Sequence, residues 1–382
     1  MMVDGVCDPA FRGVRELFEA SLVDGRDVGA AVAVFVGGET VVDLWGGVAD
    51  AKTGRTWVSD TPCVAFSCTK AVTATAALMV AERERIDLGK PVAHWWPEFA
   101  GLGKESTTTE DLLTHRAGLP AFAQPLTAAD AADPAAMAAR LTRQAPLWEP
   151  GTRHGYHALT FGWLVGELVR RRTGDTVGGY VRASIGSELW IGVPSAVMAR
   201  AARVGFPPAS QTRWSSDELS IENDTLRRLS AAYRDPGSLL MRASTNPAGS
   251  YNDPAVLGGG WPGAGMVTTA RALAAFYRDL IRGDLLEPET VREAIGERVR
   301  GADEVLFLES AFGLGYMRPS PNFLLPKAAR ASAFGHPGAG GSIGLGDLDN
   351  DVAIAFIPNL RRDGLAGDRR AYDLVEAVYT AL

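Results

Sequence analysis

The sequence predicts an α+β fold in which one antiparallel sheet is assembled from both ends of the chain, flanked by helices, with a mainly helical middle. Two observations carry this. Apolar, β-branched runs gather near residues 29–47 and again over 311–358, while most of the chain between them has helical periodicity and helix stops. Strands so far apart in sequence must meet in space to bury their apolar faces. The expected organisation is one unit over 1–382. Residues 1–75 and 265–382 form its α/β part, and residues 76–264 form its helical part.

Taken in order, residues 11–22 have helical periodicity. GAAVAVFVGG (from Gly29) and ETVVDLWGG (from Glu39) are two strand-like runs joined at Gly37-Gly38, a hairpin signal. The segment from Thr61 reads as a turn and then a long helix that stops near Gly89. From Lys70 to Val80 that helix is apolar all round except for threonines, the pattern of a buried helix. TTTEDLLTHRAGLP (from Thr107) is a short capped helix, and an Ala- and Pro-rich stretch covers 120–146. The segment from Trp148 leads into a long helix ending near Gly174, and 193–257 reads as an irregular excursion near the site. Another helix opens after Gly258. Runs from Ala311, Ala331 and Asp351 read as successive antiparallel strands, and a last helix spans about 370–382. There is no internal repeat and no low-complexity linker.

The bulk numbers exclude several classes. The chain has 382 residues, 46% hydrophobic and 22% charged, with a net charge of −7 and no basic stripe for nucleic acid. No stretch has the apolar length of a membrane span. The first residues lack a basic segment followed by an apolar run, so the expected compartment is the cytoplasm. Cys7, Cys63 and Cys68 are odd in number and have no metal-ligand spacing, which suits reduced thiols. Cys68 adjoins Ser67 and reads as a small buried hydrophobe rather than a nucleophile.

Ser67 and Lys70 stand three residues apart at the start of the buried helix, hence on one face. A serine hydroxyl needs an adjacent base to become a nucleophile. A buried lysine supplies one, because burial and the positive helix N-terminus both disfavour its charged form. The residue type is informative. The chain takes nearly all its positive charge from arginine, which cannot give up its proton, and has only Lys52, Lys70, Lys90, Lys104 and Lys327. Lys70 alone lies in an apolar run with Ser at i−3.

Five stretches in order, FSCTKAVTA around Ser67, LLTHRAGLP around His115, WEPGTRHGYHALTFGWLVGELV around Tyr156, GGGWPGAGMVTTARALAAF around Gly265 and AFGHPGAGGSIG around His336, carry a family likeness. In them the chain resembles the class C β-lactamase-like serine hydrolases, and especially the family VIII carboxylesterases, which implies a β-lactamase/transpeptidase-like fold. The resemblance implies that Ser67 is acylated, that Lys70 takes its proton, and that Tyr156 is the general base of acylation or the acid to the leaving group. The Lys-Thr-Gly strand motif of penicillin-recognising enzymes is replaced by His336-Pro337-Gly338. That strand is expected to supply the Ala339 N–H as one oxyanion donor, with the Ser67 N–H as the other. His336 is expected to bond the substrate or the Tyr156 hydroxyl. Gly338, Trp261 and His157 complete the expected substrate-facing set. Ala158 stands where β-lactamases have Asn, which favours an esterase. The implied reaction is hydrolysis of short or medium acyl esters, with no metal or organic cofactor. An amidase, β-lactam hydrolase or acyltransferase would use the same acyl-enzyme, and a non-catalytic binding protein is the rival from another class. Natural substrate and oligomeric state are not legible.

Other motifs read as decoys. Gly340-Gly341-Ser342-Ile343-Gly344 fits the nucleophile-elbow pattern, but Ser342 precedes a strand rather than a helix. Gly258 to Gly263 fits a dinucleotide fingerprint but follows no clear strand. His154 and His157 lack a third zinc ligand at suitable spacing. His115 reads as a buttress.

Overall fold

A computed structural model describes residues 3–206, 223–362 and 368–382. In chain order the first elements are β1 (Val3–Cys7), α1 (Arg12–Val23), β2 (Gly29–Val36), β3 (Glu39–Asp50), β4 (Arg55–Thr56), β5 (Cys63–Val64) and α2 (Thr69–Glu84). The middle holds α3 (Thr109–Leu113), α4 (Pro134–Thr142), α5 (Thr160–Thr173), α6 (Val177–Ser184), α7 (Ser195–Arg200), α8 (Asn223–Arg234), α9 (Leu239–Thr245) and α10 (Pro254–Gly258). Then come β6 (Val267–Thr268), α11 (Ala270–Arg282), α12 (Pro288–Ile295), β7 (Val299–Ala302), β8 (Glu309–Phe312), β9 (Ala333–Pro337), β10 (Ile343–Asp347), β11 (Val352–Pro358) and α13 (Arg369–Ala381).

The main sheet runs β1-β3-β2-β11-β10-β9, with β4 on β3, and its pairings are antiparallel. The seam between chain ends is β2 against β11, in register from Val36 opposite Val352 to Ala30 opposite Pro358. Val32 and Val34 face the layer that holds Phe18 of α1 and Val375 of α13, whereas Ala33 and Phe35 face the layer with Leu273 and Tyr277 of α11. Both faces are therefore covered, which is why these strands read as continuous apolar runs rather than as an alternation.

Several expectations need correction. The helix from Ser67 ends at Glu84, short of Gly89, because Arg85 takes a left-handed backbone (φ 55°) whose N–H caps the Ala81 and Glu82 carbonyls. Val3–Cys7 forms an edge strand that was not read, since Asp4 and Gly5 break any alternation. Residues 193–257 are not simply irregular. Their described part contains α7, α8, α9 and α10, short helices capped in part by Ser238 and Asp253. The Ala311 run is a strand only in part: Glu309–Phe312 pairs with β7 as β8, and Met317 then bridges Gly335 of β9, the two exchanging N–H···O bonds of 2.8 and 3.2 Å. Among the described residues, no helix is long and apolar enough to cross a membrane.

Candidate active site

The site forms where α2, the loop before α5 and the end of β9 meet. β5 is fastened to β6, and the Ala65 N–H donates to the Met266 carbonyl at 2.9 Å. The chain then turns sharply: Phe66 sits at φ 48°, a left-handed conformation that costs a bulky residue on the order of 1–3 kcal/mol. Ser67 follows on a one-turn helix that runs into α2. Thr69 braces the turn, donating its hydroxyl to the Phe66 carbonyl and accepting from the Met266 N–H.

Lys70 is fully buried. Its Nζ lies 2.7 Å from the Ala158 carbonyl, 2.8 Å from the Gly263 carbonyl and 3.2 Å from Ser67 Oγ. No carboxylate is among these partners, and burial pushes the amine well below the ordinary lysine value. A neutral amine has two N–H groups and one lone pair. When the amine is neutral, the two carbonyls take its N–H groups and its lone pair faces the Ser67 hydroxyl. The Gly263 carbonyl is held by close packing, since a Cβ on Gly162 would lie 2.2 Å from the Gly263 nitrogen.

Tyr156 is buried, with its ring 4.7 Å from Lys70 Nζ. Its hydroxyl lies 3.4 Å from His336 Nε2. His336 Nδ1 is 2.6 Å from the Pro337 carbonyl, so Nδ1 carries the proton and Nε2 accepts from the tyrosine. Burial, with Lys70 nearby, lowers the imidazole to about 3. Burial also pushes the Tyr156 hydroxyl up, so it is protonated at neutral pH. The structure thus brings Ser67, Lys70, Tyr156 and His336 together.

Gly338 packs directly against the nucleophile turn: a Cβ there would lie 2.6 Å from the Ala65 carbonyl oxygen and 2.0 Å from Ser342 Oγ. Ala339 is buried beside Phe66 and Val64. Ser342 donates its hydroxyl to the Ala65 carbonyl at 2.9 Å, which makes it a pin for the turn. Cys68 lies 3.2 Å from the His336 carbonyl, and burial pushes its thiol up to about 12, far from thiolate character.

Two expected substrate contacts are placed elsewhere. His157 accepts the Leu119 N–H at Nε2 (3.0 Å) and donates Nδ1–H to the Gly155 carbonyl (2.6 Å), so both ring nitrogens serve the backbone. Trp261 is packed in the core against Trp163 and Tyr251. His115, in left-handed backbone at φ 61°, accepts the His157 N–H, and its ring packs at a tilt against Tyr156 with centroids 5.1 Å apart, the place of a buttress. His154 bonds Ser310 Oγ at 2.9 Å.

Asp303 was missed. Its buried carboxylate accepts N–H groups from Tyr156, Val305 and Leu306 and the Ser310 hydroxyl, which anchors the tyrosine loop. The local Asp-x-Val-Leu turn was visible, but its bond to Tyr156 spans 147 residues.

The family model described as Beta-lactamase matches residues 14–378. The chain belongs to the β-lactamase family. It is a serine hydrolase of that family, with the β-lactamase/transpeptidase-like α+β fold. It is 33% identical to the esterase/beta-lactamase LipL of Mycobacterium tuberculosis, over 94% of this chain and 83% of that protein. A crystal structure of a family VIII carboxylesterase matches with a TM-score of 0.87 and 31% identity, covering all of both chains. A penicillin-binding protein homologue from Caulobacter crescentus matches with a TM-score of 0.85 and 35% identity, again over both whole chains.

Proposed function

We propose that the protein hydrolyses carboxylic esters of short or medium acyl length through an acyl-enzyme on Ser67. The observation that carries this is Lys70: a buried amine whose charged form burial disfavours, held by the Ala158 and Gly263 carbonyls and 3.2 Å from the Ser67 hydroxyl. Ser67 Oγ attacks the ester carbonyl as its proton passes to Lys70. The oxyanion is met by the Ser67 and Ala339 N–H groups, neither of which donates to a protein acceptor among the described residues. As the tetrahedral adduct collapses, the proton travels by way of Tyr156 to the leaving alcohol. Water then attacks the acyl-enzyme by the same relay, and Ser67 is released. His336 Nε2 fixes the direction of the tyrosine O–H, so its role is positioning.

Ester rather than β-lactam chemistry is favoured by Ala158. Its methyl group offers no side-chain hydrogen bond to an amide, and its carbonyl is committed to Lys70. The similar LipL is named for both esterase and β-lactamase activity, so ester hydrolysis is within what its name states.

The test is hydrolysis of p-nitrophenyl esters across acyl lengths by wild type, Ser67→Ala and Ser342→Ala. Turnover is expected to fall by about 10³-fold or more in Ser67→Ala. Ser342→Ala, which only loosens the turn, keeps most of it. The reverse ranking overturns the assignment.

A further inference from the structure

Arg361 lies beyond the end of β11, against the tip of the β9–β10 turn, so close that a Cβ on Gly340 would stand 2.4 Å from its Cγ. Its backbone is fixed by a ladder with Gly205: the Gly205 N–H donates to the Asn359 carbonyl (2.8 Å) and the Arg361 N–H to the Gly205 carbonyl (2.9 Å). Its guanidinium lies 5.5 Å from the ring centre of Phe66, the residue that precedes the nucleophile, and 5.7 Å from that of the exposed Phe206. Phe66 packs edge-on against Tyr251 at 5.0 Å, whose hydroxyl feels the arginine charge. Stacking holds a guanidinium by its face and leaves its in-plane N–H donors unused. Among the described residues no carboxylate pairs with Arg361, and its side-chain N–H groups make no hydrogen bond. Arg370, by contrast, pairs with Asp27 and Asp368, and Arg200 with Asp60. The site offers no competing anion either. Asp303 gives its oxygens to three backbone N–H groups and Ser310.

We propose that Arg361 recognises a carboxylate carried by the ester substrate, so that the preferred substrates are anionic esters. This rests on the serine-esterase reading and names the substrate class for it. The carboxylate meets the in-plane guanidinium donors as a charge-assisted, forked pair, on the Ala339 side of Ser67. Tyr251 adds a neutral hydroxyl beside it. An arginine kept only for stacking would contribute equally to neutral and anionic substrates.

The experiment compares kcat/KM within two pairs of esters, for wild type, Arg361→Gln and Arg361→Lys. p-Nitrophenyl butyrate is set against mono-p-nitrophenyl succinate, which places the charge on the acyl side. Phenyl acetate is set against p-acetoxybenzoate, which places it on the alcohol side. In at least one pair, wild type is expected to favour the anionic ester by about tenfold or more, the size of a charge-assisted hydrogen bond. Arg361→Gln removes that preference while the neutral ester stays within about twofold, and Arg361→Lys restores part of it. The preference should also weaken as salt screens the pair. An anionic-to-neutral ratio unchanged by Arg361→Gln in both pairs overturns the proposal, as does an equal loss on neutral and anionic esters. If wild type turns over neither neutral ester nor anionic ester, the esterase reading itself fails and this inference falls with it. Turnover of the neutral esters alone leaves the esterase reading standing and removes the anion site.

Discussion

Burying an amine without a carboxylate partner disfavours its charged form, and that condition gives Lys70 its chemistry. Burial lowers its proton affinity, so the base form exists well below the ordinary lysine range. The acid limb of the kcat/KM–pH profile is therefore expected below that range, activity rising with pH as Lys70 loses its proton. Lys70→Arg keeps charge and bulk but cannot release a proton, and should cost about 10³-fold or more in kcat/KM without a matching loss of melting temperature. His336 is neutral at any pH above about 3. His336→Gln should lower the rate through Tyr156 yet leave the limb where it is, and a limb that moves would reassign the base. At this scale the sequence was informative where chemistry is local. Ser67, Lys70 and the absence of other lysines in apolar runs were legible from spacing. The neutral tautomer of His336 and the commitment of both His157 nitrogens to Leu119 and Gly155 were not, because they depend on carbonyls and N–H groups that only the fold brings near.

The elements turn that residue chemistry into geometry. α2 is buried on all sides from Thr69 to Leu78, and its start is pinned by β5–β6 pairing behind it and by Ser342 beside it. α5 approaches so closely that only glycine fits at position 162, and this contact fixes the carbonyl that holds Lys70. Gly162→Ala should therefore destabilise the fold by about 1–3 kcal/mol and reduce turnover of the folded fraction. Thermal melts beside active-site titration separate the two effects, and an unchanged melting temperature would show that the contact is looser than described. The hairpin over β2 and β3, the capped α3 and the glycine-stopped α5 were readable because caps, Gly-Gly turns and Gly174 act locally. β1 and the helices between residues 193 and 257 were not. β1 is an edge strand set by pairing with β3, and the helices are short and depend on tertiary packing.

Across the whole molecule, joining the two chain ends through β2 and β11 places the nucleophile from the first hundred residues beside His336 from the last fifty. The core that results encloses uncharged histidines. His157 and His336 are lowered from 6.5 to about 3 by burial, and His115 is lowered well below 6.5. The unfolded chain binds these protons below pH 6.5 and the folded one does not. Their contribution is therefore complete above pH 6.5 and is lost as pH falls toward about 3. Denaturant unfolding should show stability falling through that window, with a shallower slope in His157→Gln, and a flat profile would mean that these rings are solvated. The antiparallel sheet from both termini was legible in the two clusters of apolar runs. The assignment of faces was not, because both faces are covered and no alternation marks them.

The central claim is a covalent one, and intact-mass spectrometry of the enzyme quenched in acid during turnover of a p-nitrophenyl ester tests it most directly. The expected result is a mass gain equal to one acyl group, mapped by peptide digestion to Ser67, absent in Ser67→Ala and retained in Ser342→Ala. An acyl group on Ser342, on Cys68 or on Tyr156, with Ser67 unmodified, would contradict it.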